Sequence, residues 1–202
     1  MIKTIIFDWG EVCTEKHLLH TFSQKLSSIC HLDFNLIEQT FREFELSYET
    51  GKISPTEFWK NFKERLHLKM PIKSIQQIFY ESDTINEEVL KLILTLKGKY
   101  QLILLTNNYE DMFKHIQKKF NLKKYFDFLF SSSGIHYKKP SKEIYQYLID
   151  TLKLNPLEVV MIDNKEKNLL VPQDLGMKVI LFKNINLLKK ELISFKVLTA
   201  PS

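Results

Sequence analysis

Five short apolar runs, rich in β-branched and aromatic side chains, punctuate the chain at 4–7, 101–105, 126–130, 159–162 and 178–182. Runs of this length bounded by polar residues read as buried strands. Between them, apolar positions recurring every three to four residues predict helices over 87–97, 112–120, 142–153 and about 165–175. Gly98 and Gly176 stand where C-terminal glycine stops belong, and Asn186 is placed to cap a last helix through 192. Pro172 is awkward inside its helix and predicts a kink or a late start there. Strand–helix alternation of this kind predicts an α/β fold, a Rossmann-like parallel sheet with helices on both faces.

One stretch breaks the alternation. From 14 to 82 only helical periodicity is found: Phe41, Phe44 and Tyr48 form one stripe, and Phe58, Phe62 and Leu66 another. In ISPTEF, Ser54 is an N-cap with Pro55 at the first helical position and Glu57 placed for a capping box, while Ile53 and Phe58 can staple. The expected organisation is a core of 1–13 and 83–202 with a small helical cap, 14–82, inserted after the first strand. The aromatic stripes are expected to be the cap's own core, not a substrate box.

Composition narrows the class. With 202 residues, 44% hydrophobic and 26% charged, the chain suits a globular domain that can bury a real core. No apolar run approaches membrane length, and the first strand begins too early for a signal peptide. Two cysteines, Cys13 and Cys30, make no disulfide framework, so a cytoplasmic protein is expected. The net charge of +5 is compatible with phosphorylated substrates or nucleic acid, but no nucleic-acid motif accompanies it. Pairs such as Lys118-Lys119 and Lys123-Lys124 read as solvated faces.

Candidate chemistry gathers at the strand ends. The first strand ends on Asp8, the second on Thr106-Asn107-Asn108 and the fourth on Asp163-Asn164; Lys138-Lys139-Pro140 follows the third. Ligands of open parallel sheets bind beyond these carboxyl ends, near the switch in strand order. Each residue alone has a plain explanation as a cap or turn residue. Two carboxylates, a hydroxyl and an ammonium at matching strand ends do not.

These residues carry a resemblance. FDWGEV (7–12) is similar to the first motif of the haloacid dehalogenase-like hydrolase superfamily, in the branch that reads F-D-x-G-x-V. LLTNN (104–108) resembles the second, GIHYKKPSKEIY (134–145) the third, and VVMIDNKEKN (159–168) followed by DLGM the fourth. The helical insertion lies where that superfamily places its smaller helical cap. The resemblance implies a Mg²⁺-dependent phosphatase acting on a small phosphomonoester. Asp8 would form an aspartyl-phosphate that water hydrolyses. Mg²⁺ would be held by Asp8, the Gly10 carbonyl, Asp163 and, more weakly, Asn164, where relatives usually have a second Asp. Thr106 and Lys139 would bind the phosphoryl group and its developing charge, Asn107 would contact substrate, and Asn168 matches a frequent Asn of the fourth motif.

Gly10 departs from the pattern. Most phosphatases of the superfamily have Asp there, which protonates the leaving alkoxide, and losing a general acid costs about 10²–10⁴ in rate. Glu11 is the nearest spare carboxylate. Two other readings follow: a catalytically weakened member that binds a phosphorylated ligand or a protein partner, and a 2-haloacid dehalogenase, which FDWGEV does not favour. A monomer or homodimer acting on a small phosphorylated metabolite, without nucleic acid or membrane, is expected. His17, His20 and His31 read as solvated positions, His136 as loop surface, and nothing marks Cys13 as activated.

Overall fold

In the computed structural model, which describes residues 1–199, the five expected strands form one sheet. They are β1 (Thr4–Phe7), β2 (Gln101–Thr106), β3 (Phe128–Ser131), β4 (Val159–Asp163) and β5 (Lys178–Leu181), all parallel, in the order β3-β2-β1-β4-β5. The central strand is β1, where Phe7 pairs with Leu104 on one side and Ile162 on the other. The chain builds outward to β3, then returns across β1 to add β4 and β5. The strand order therefore reverses at β1, and a crevice opens beyond its carboxyl end.

Side-chain alternation along the strands divides the interior in two. Ile5, Phe7, Leu102, Leu104, Val160 and Ile162 point into one apolar cluster; Ile6, Ile103, Leu105 and Met161 point into the other. The second is closed by α8 (Lys142–Leu152) and α9 (Lys167–Asp174), and the short α7 (Ser132–Ile135) follows β3 directly. The first lies under α5 (Glu87–Leu96), α6 (Glu110–Lys119) and α10 (Ile185–Ser194), and continues without a break into the inserted helices.

Those helices are α1 (Leu18–Cys30), α2 (Phe34–Glu49), α3 (Pro55–Arg65) and α4 (Ile72–Tyr80). The aromatic stripes meet at their centre: Phe22, Phe41, Phe58, Trp59, Phe62 and Phe79 are all fully buried. Most of their ring pairs meet edge to face, as in Phe41–Phe58 at 4.8 Å and Phe22–Phe79 at 5.2 Å, the arrangement the ring quadrupole favours. Ser54 caps α3 by accepting the Glu57 amide at 3.1 Å. The segments entering and leaving the insertion are clasped by an antiparallel bridge between Thr14 and Ile85, with Glu15 N–H donating to Thr84 and Asn86 N–H to Cys13. Asp111 joins the inserted helices to α6. It accepts hydrogen bonds from Tyr48 of α2, from the Trp59 indole of α3 at 2.9 Å and from Tyr80, the last residue of α4, at 2.9 Å. Its own helix adds the Met112 amide at 2.8 Å.

Two local expectations need correction, and a third, at Pro172, gains a physical account. Asn184, not Asn186, caps the last helix, because its extended backbone lets its side chain accept the Leu187 amide at 3.0 Å and puts Leu188 and Leu192 in the core. The third strand starts at Phe128 instead of 126: Phe126 packs edge-on against Phe7, and the Asp127 carboxylate takes the Leu102 amide at 2.8 Å. Pro172 sits inside α9, which starts late, at Lys167. The carbonyl that Pro172 cannot serve, that of Asn168, accepts instead from the Tyr145 hydroxyl at 2.6 Å. Among the described residues no helix is long and apolar enough to cross a membrane.

Candidate active site

Asp8 extends β1 by one residue, its amide donating to Ile162 at 2.9 Å, so its carboxylate stands at the mouth of the crevice. Asp163 ends the neighbouring strand β4 and Thr106 ends β2. Lys139 reaches in from the loop after α7. Its ammonium lies 2.8 Å from Asp8 Oδ1 and 2.6 Å from Asp163 Oδ2, with only 2% of the residue exposed. Residues 8, 139 and 163, remote in sequence, thus form one buried ionic centre with two carboxylates for one cation.

The electrostatics follow from that imbalance. Burial pushes the Asp8 carboxyl up to about 6; Lys139 opposes the rise and Asp163 adds to it. For Lys139, burial works against the charged form, but the two carboxylates override it and hold the ammonium above its ordinary value. Cys13 donates its thiol to the Asp8 carbonyl at 3.3 Å, and burial pushes it far up, so it is an inert thiol as expected.

Asp8, Gly10, Thr106, Asn107 and Lys139 line one cavity of about 110 Å³. Asn107 holds the Lys139 peptide at both ends: its amide nitrogen donates to the Lys139 carbonyl at 3.0 Å, and its oxygen accepts the Lys139 N–H at 2.8 Å. With both amide atoms engaged, Asn107 positions the lysine. Asn168 bridges the two Asp163 oxygens at 3.0 and 3.1 Å and fixes the carboxylate's rotation. Asn164 donates to Glu11 Oε2 at 3.3 Å.

Among the described residues no three His, Cys, Asp or Glu side chains converge on a metal site. The implied Mg²⁺ set is of another kind: two carboxylates, a backbone carbonyl and an amide. It fits. Asn164 Oδ1 is buried without a partner, an unclaimed hard oxygen beside Asp163, and the paired carboxylates carry one negative charge more than Lys139 balances. Asp163 is the most committed member, since the Lys165 amide, Asn168 and Lys139 already donate to it.

Several lining residues escaped the sequence reading. Glu45 and Glu49, one helical turn apart on α2, face the cavity, and Tyr109 donates to Glu45 at 3.0 Å. Asp83, on the segment leaving the insertion, accepts the Trp9 indole at 2.8 Å, and burial raises its carboxyl to about 6. His17 is not simply solvated: it caps α1 by accepting the His20 amide and lines the cavity edge. Only the i, i+4 spacing of Glu45 and Glu49 beside Tyr48 was a signal in sequence. His136 packs on the insertion, its Nδ1 at 3.0 Å from the Thr50 carbonyl, outside this cavity.

Fold and site together are those of a Rossmann-like α/β hydrolase, with two carboxylates and a lysine gathered at the carboxyl ends of its strands. The chain belongs to the haloacid dehalogenase-like hydrolases, whose family model matches residues 2–174. It is 35% identical to bifunctional epoxide hydrolase 2 of Sus scrofa over 133 residues, 63% of this chain but 24% of that protein. It therefore spans about a quarter of the curated relatives it matches. Among solved structures it resembles the HAD family enzyme bt-2542 of Bacteroides thetaiotaomicron, crystallised with magnesium and inorganic phosphate (TM-score 0.77, 26% identity, 91% of this chain and 95% of that one). L-2-haloacid dehalogenase of Xanthobacter autotrophicus shares the fold at a TM-score of 0.64 and 18% identity, covering 100% and 85% of the two chains.

Proposed function

We propose that this hydrolase cleaves small phosphomonoesters through an aspartyl-phosphate on Asp8, with Mg²⁺ held by Asp8, the Gly10 carbonyl, Asp163 and Asn164. The observation that carries the reading is the Lys139 ammonium bridging carboxylates at the ends of adjacent strands, with Thr106 lining the same small cavity. Asp8 Oδ1 is tied to Lys139, which leaves the other oxygen to attack phosphorus. The bond from phosphorus to the leaving oxygen breaks as Asp8 adds, and the alkoxide takes its proton from water, since Gly10 offers no acid. Thr106 donates to a phosphoryl oxygen and Lys139 offsets charge there. Water then attacks the acyl-phosphate and releases phosphate and free Asp8. Bound Mg²⁺ supplies charge compensation between carboxylate and phosphate dianion. The inserted helices act as the cap, and the substrate is a small phosphorylated metabolite.

A screen of phosphomonoesters with purified protein, with and without Mg²⁺, tests this. Turnover should require Mg²⁺ and vanish in Asp8→Asn; a variant keeping a tenth of the rate, with deamidation excluded by mass spectrometry, would sink the mechanism. Asp163→Ala should lose activity and metal dependence together.

Gly10 favours one second reading, a weakened enzyme that mainly binds its ligand. An added Cβ at Gly10 meets nothing within 4 Å, so the position accepts an aspartate. Gly10→Asp should raise alkyl-phosphate turnover more than aryl-phosphate turnover, by up to about 10²–10⁴, because only the alkoxide needs the proton. A variant that is folded and Mg²⁺-bound yet silent on every ester, like its parent, would favour the binding reading.

A further inference from the structure

We propose that Glu49, with Glu45, selects leaving groups that carry a hydroxyl a few atoms from the ester oxygen, an inference that rests on the phosphomonoesterase reading above. The two carboxylates project from one face of α2 into the cavity that holds Asp8 and Lys139. They are held stiffly. Tyr48, between them, is bonded to Asp111, and the Ser132 hydroxyl donates to the Glu49 carbonyl at 2.6 Å. Glu45 Oε1 accepts from Tyr109, and Glu49 Oε2 pairs with Lys138. Among the described residues Lys138 pairs with Oε2 alone, and Glu49 Oε1 takes no hydrogen bond. Only 8% of Glu49 is exposed, and it lines the cavity.

Such an oxygen must meet water or a donor on the ligand, and an apolar leaving group in so small a space would leave it bare. Burial also raises the Glu49 carboxyl, against the pull of Lys138, the mark of a carboxylate short of solvation. Donors stand at the same rim. Lys165 lines the cavity, and His17 accepts the His20 amide at Nδ1, which leaves the proton of its neutral ring on Nε2. Acceptors and donors side by side match a hydroxyl, which is both. An ammonium group would answer the carboxylates alone. The cavity, about 110 Å³ to the centre of a water-sized sphere, suits a small alcohol.

The test compares kcat/KM of the Mg²⁺-loaded protein on glycerol 1-phosphate, propyl phosphate, O-phosphoethanolamine and phenyl phosphate. Glycerol phosphate should exceed propyl phosphate about 10–100-fold, the factor carried by one hydrogen bond to a charged group. Glu49→Leu should shrink that ratio to below about threefold, and Glu49→Gln, which keeps an acceptor, should retain part of it. Should Glu49→Leu fail to fold by circular dichroism, the Gln variant decides. A role confined to holding α2 would lower both rates together and leave the ratio unchanged, which would overturn the inference. So would phosphoethanolamine outrunning glycerol phosphate. Phenyl phosphate separates the two levels. If it is cleaved and no glycerol preference appears, the specificity reading alone falls; if none of the four is cleaved, the phosphomonoesterase reading falls with it.

Discussion

Lys139 and Asp111 are each the hub of a polar cluster at the junction of distant segments, yet they are satisfied in opposite ways. Lys139 faces two carboxylates that compete for it. Asp111 collects four donors, all neutral: two tyrosine hydroxyls, an indole and a main-chain amide. Burial and the Asp111 carboxylate both push Tyr48 and Tyr80 up, so these hydroxyls remain protonated donors through the physiological range. The first cluster holds unbalanced charge at the edge of the cavity. The second spends its polarity on tying three inserted helices to α6. Position in the fold explains the contrast: strand ends at a switch point receive ligands, whereas a helix face receives only its neighbours.

The largest effect that tests the contrast is Lys139→Met. It should lower turnover by about 10²–10³ or more, as loss of a charge-stabilising donor does. It also leaves Asp8 and Asp163 buried together without their cation. Protonating one of them relieves that, so the variant's stability deficit at pH 7 should shrink as the pH falls toward 5, read by urea denaturation. Asp111→Ala comes next. Three donors from the insertion lose their acceptor, for about 3 kcal/mol, which lowers Tm by roughly 6–12 °C in a chain of this size. That deficit should stay constant between pH 5 and 7, because the stranded donors titrate far above this range. Equal pH responses in the two variants would erase the distinction.

Asp83 is the intermediate case, a buried carboxylate with a single indole donor at 2.8 Å. Its carboxyl is raised to about 6 from 3.8, first by burial, with Trp9 and Lys119 opposing. The folded state therefore binds the proton more tightly than the unfolded one, and stability from this group is present below about 4 and lost as the pH rises to 6. Asp83→Asn keeps an acceptor for Trp9 and removes the charge. It should stabilise the protein at pH 7 by about 3 kcal/mol and by well under about 1 kcal/mol near pH 4, again by urea denaturation. A gain of equal size at both values would mean that packing, not charge, is at issue.

Legibility in the sequence followed the same divide. The strands, their parallel direction and the residues at their ends were readable because each lies within a short local pattern: an apolar run, then Asp8, Thr106 or Asp163. Gly10 was readable as a gap in the first motif. Asp111, Asp83, His17, Glu45 and Glu49 were not, because their meaning depends on which way inserted helices turn when they pack. Nothing in EDMF separates Asp111 from a helix-start acid, and nothing in ESDT sets Asp83 apart from a turn residue. Asn184 and Asn186 are equally good caps on paper, and only the placement of Leu188 and Leu192 decided between them.

The clasp between Thr14 and Ile85 has a consequence for the chain as a polymer. Thr4 pairs with Gln101, 97 positions away, across the whole insertion. Joining such ends from an open coil carries the full loop-closure entropy of that length. Once Thr14 and Ile85 have met, the remaining slack is the pair of arms from 4 to 14 and from 85 to 101, roughly a quarter of the original contour. Closure is then easier by about 1 kcal/mol, since the term grows with the logarithm of loop length. A large excursion between the first two strands of a sheet is thus made nearly as short, to the ends that must find each other, as an ordinary crossover.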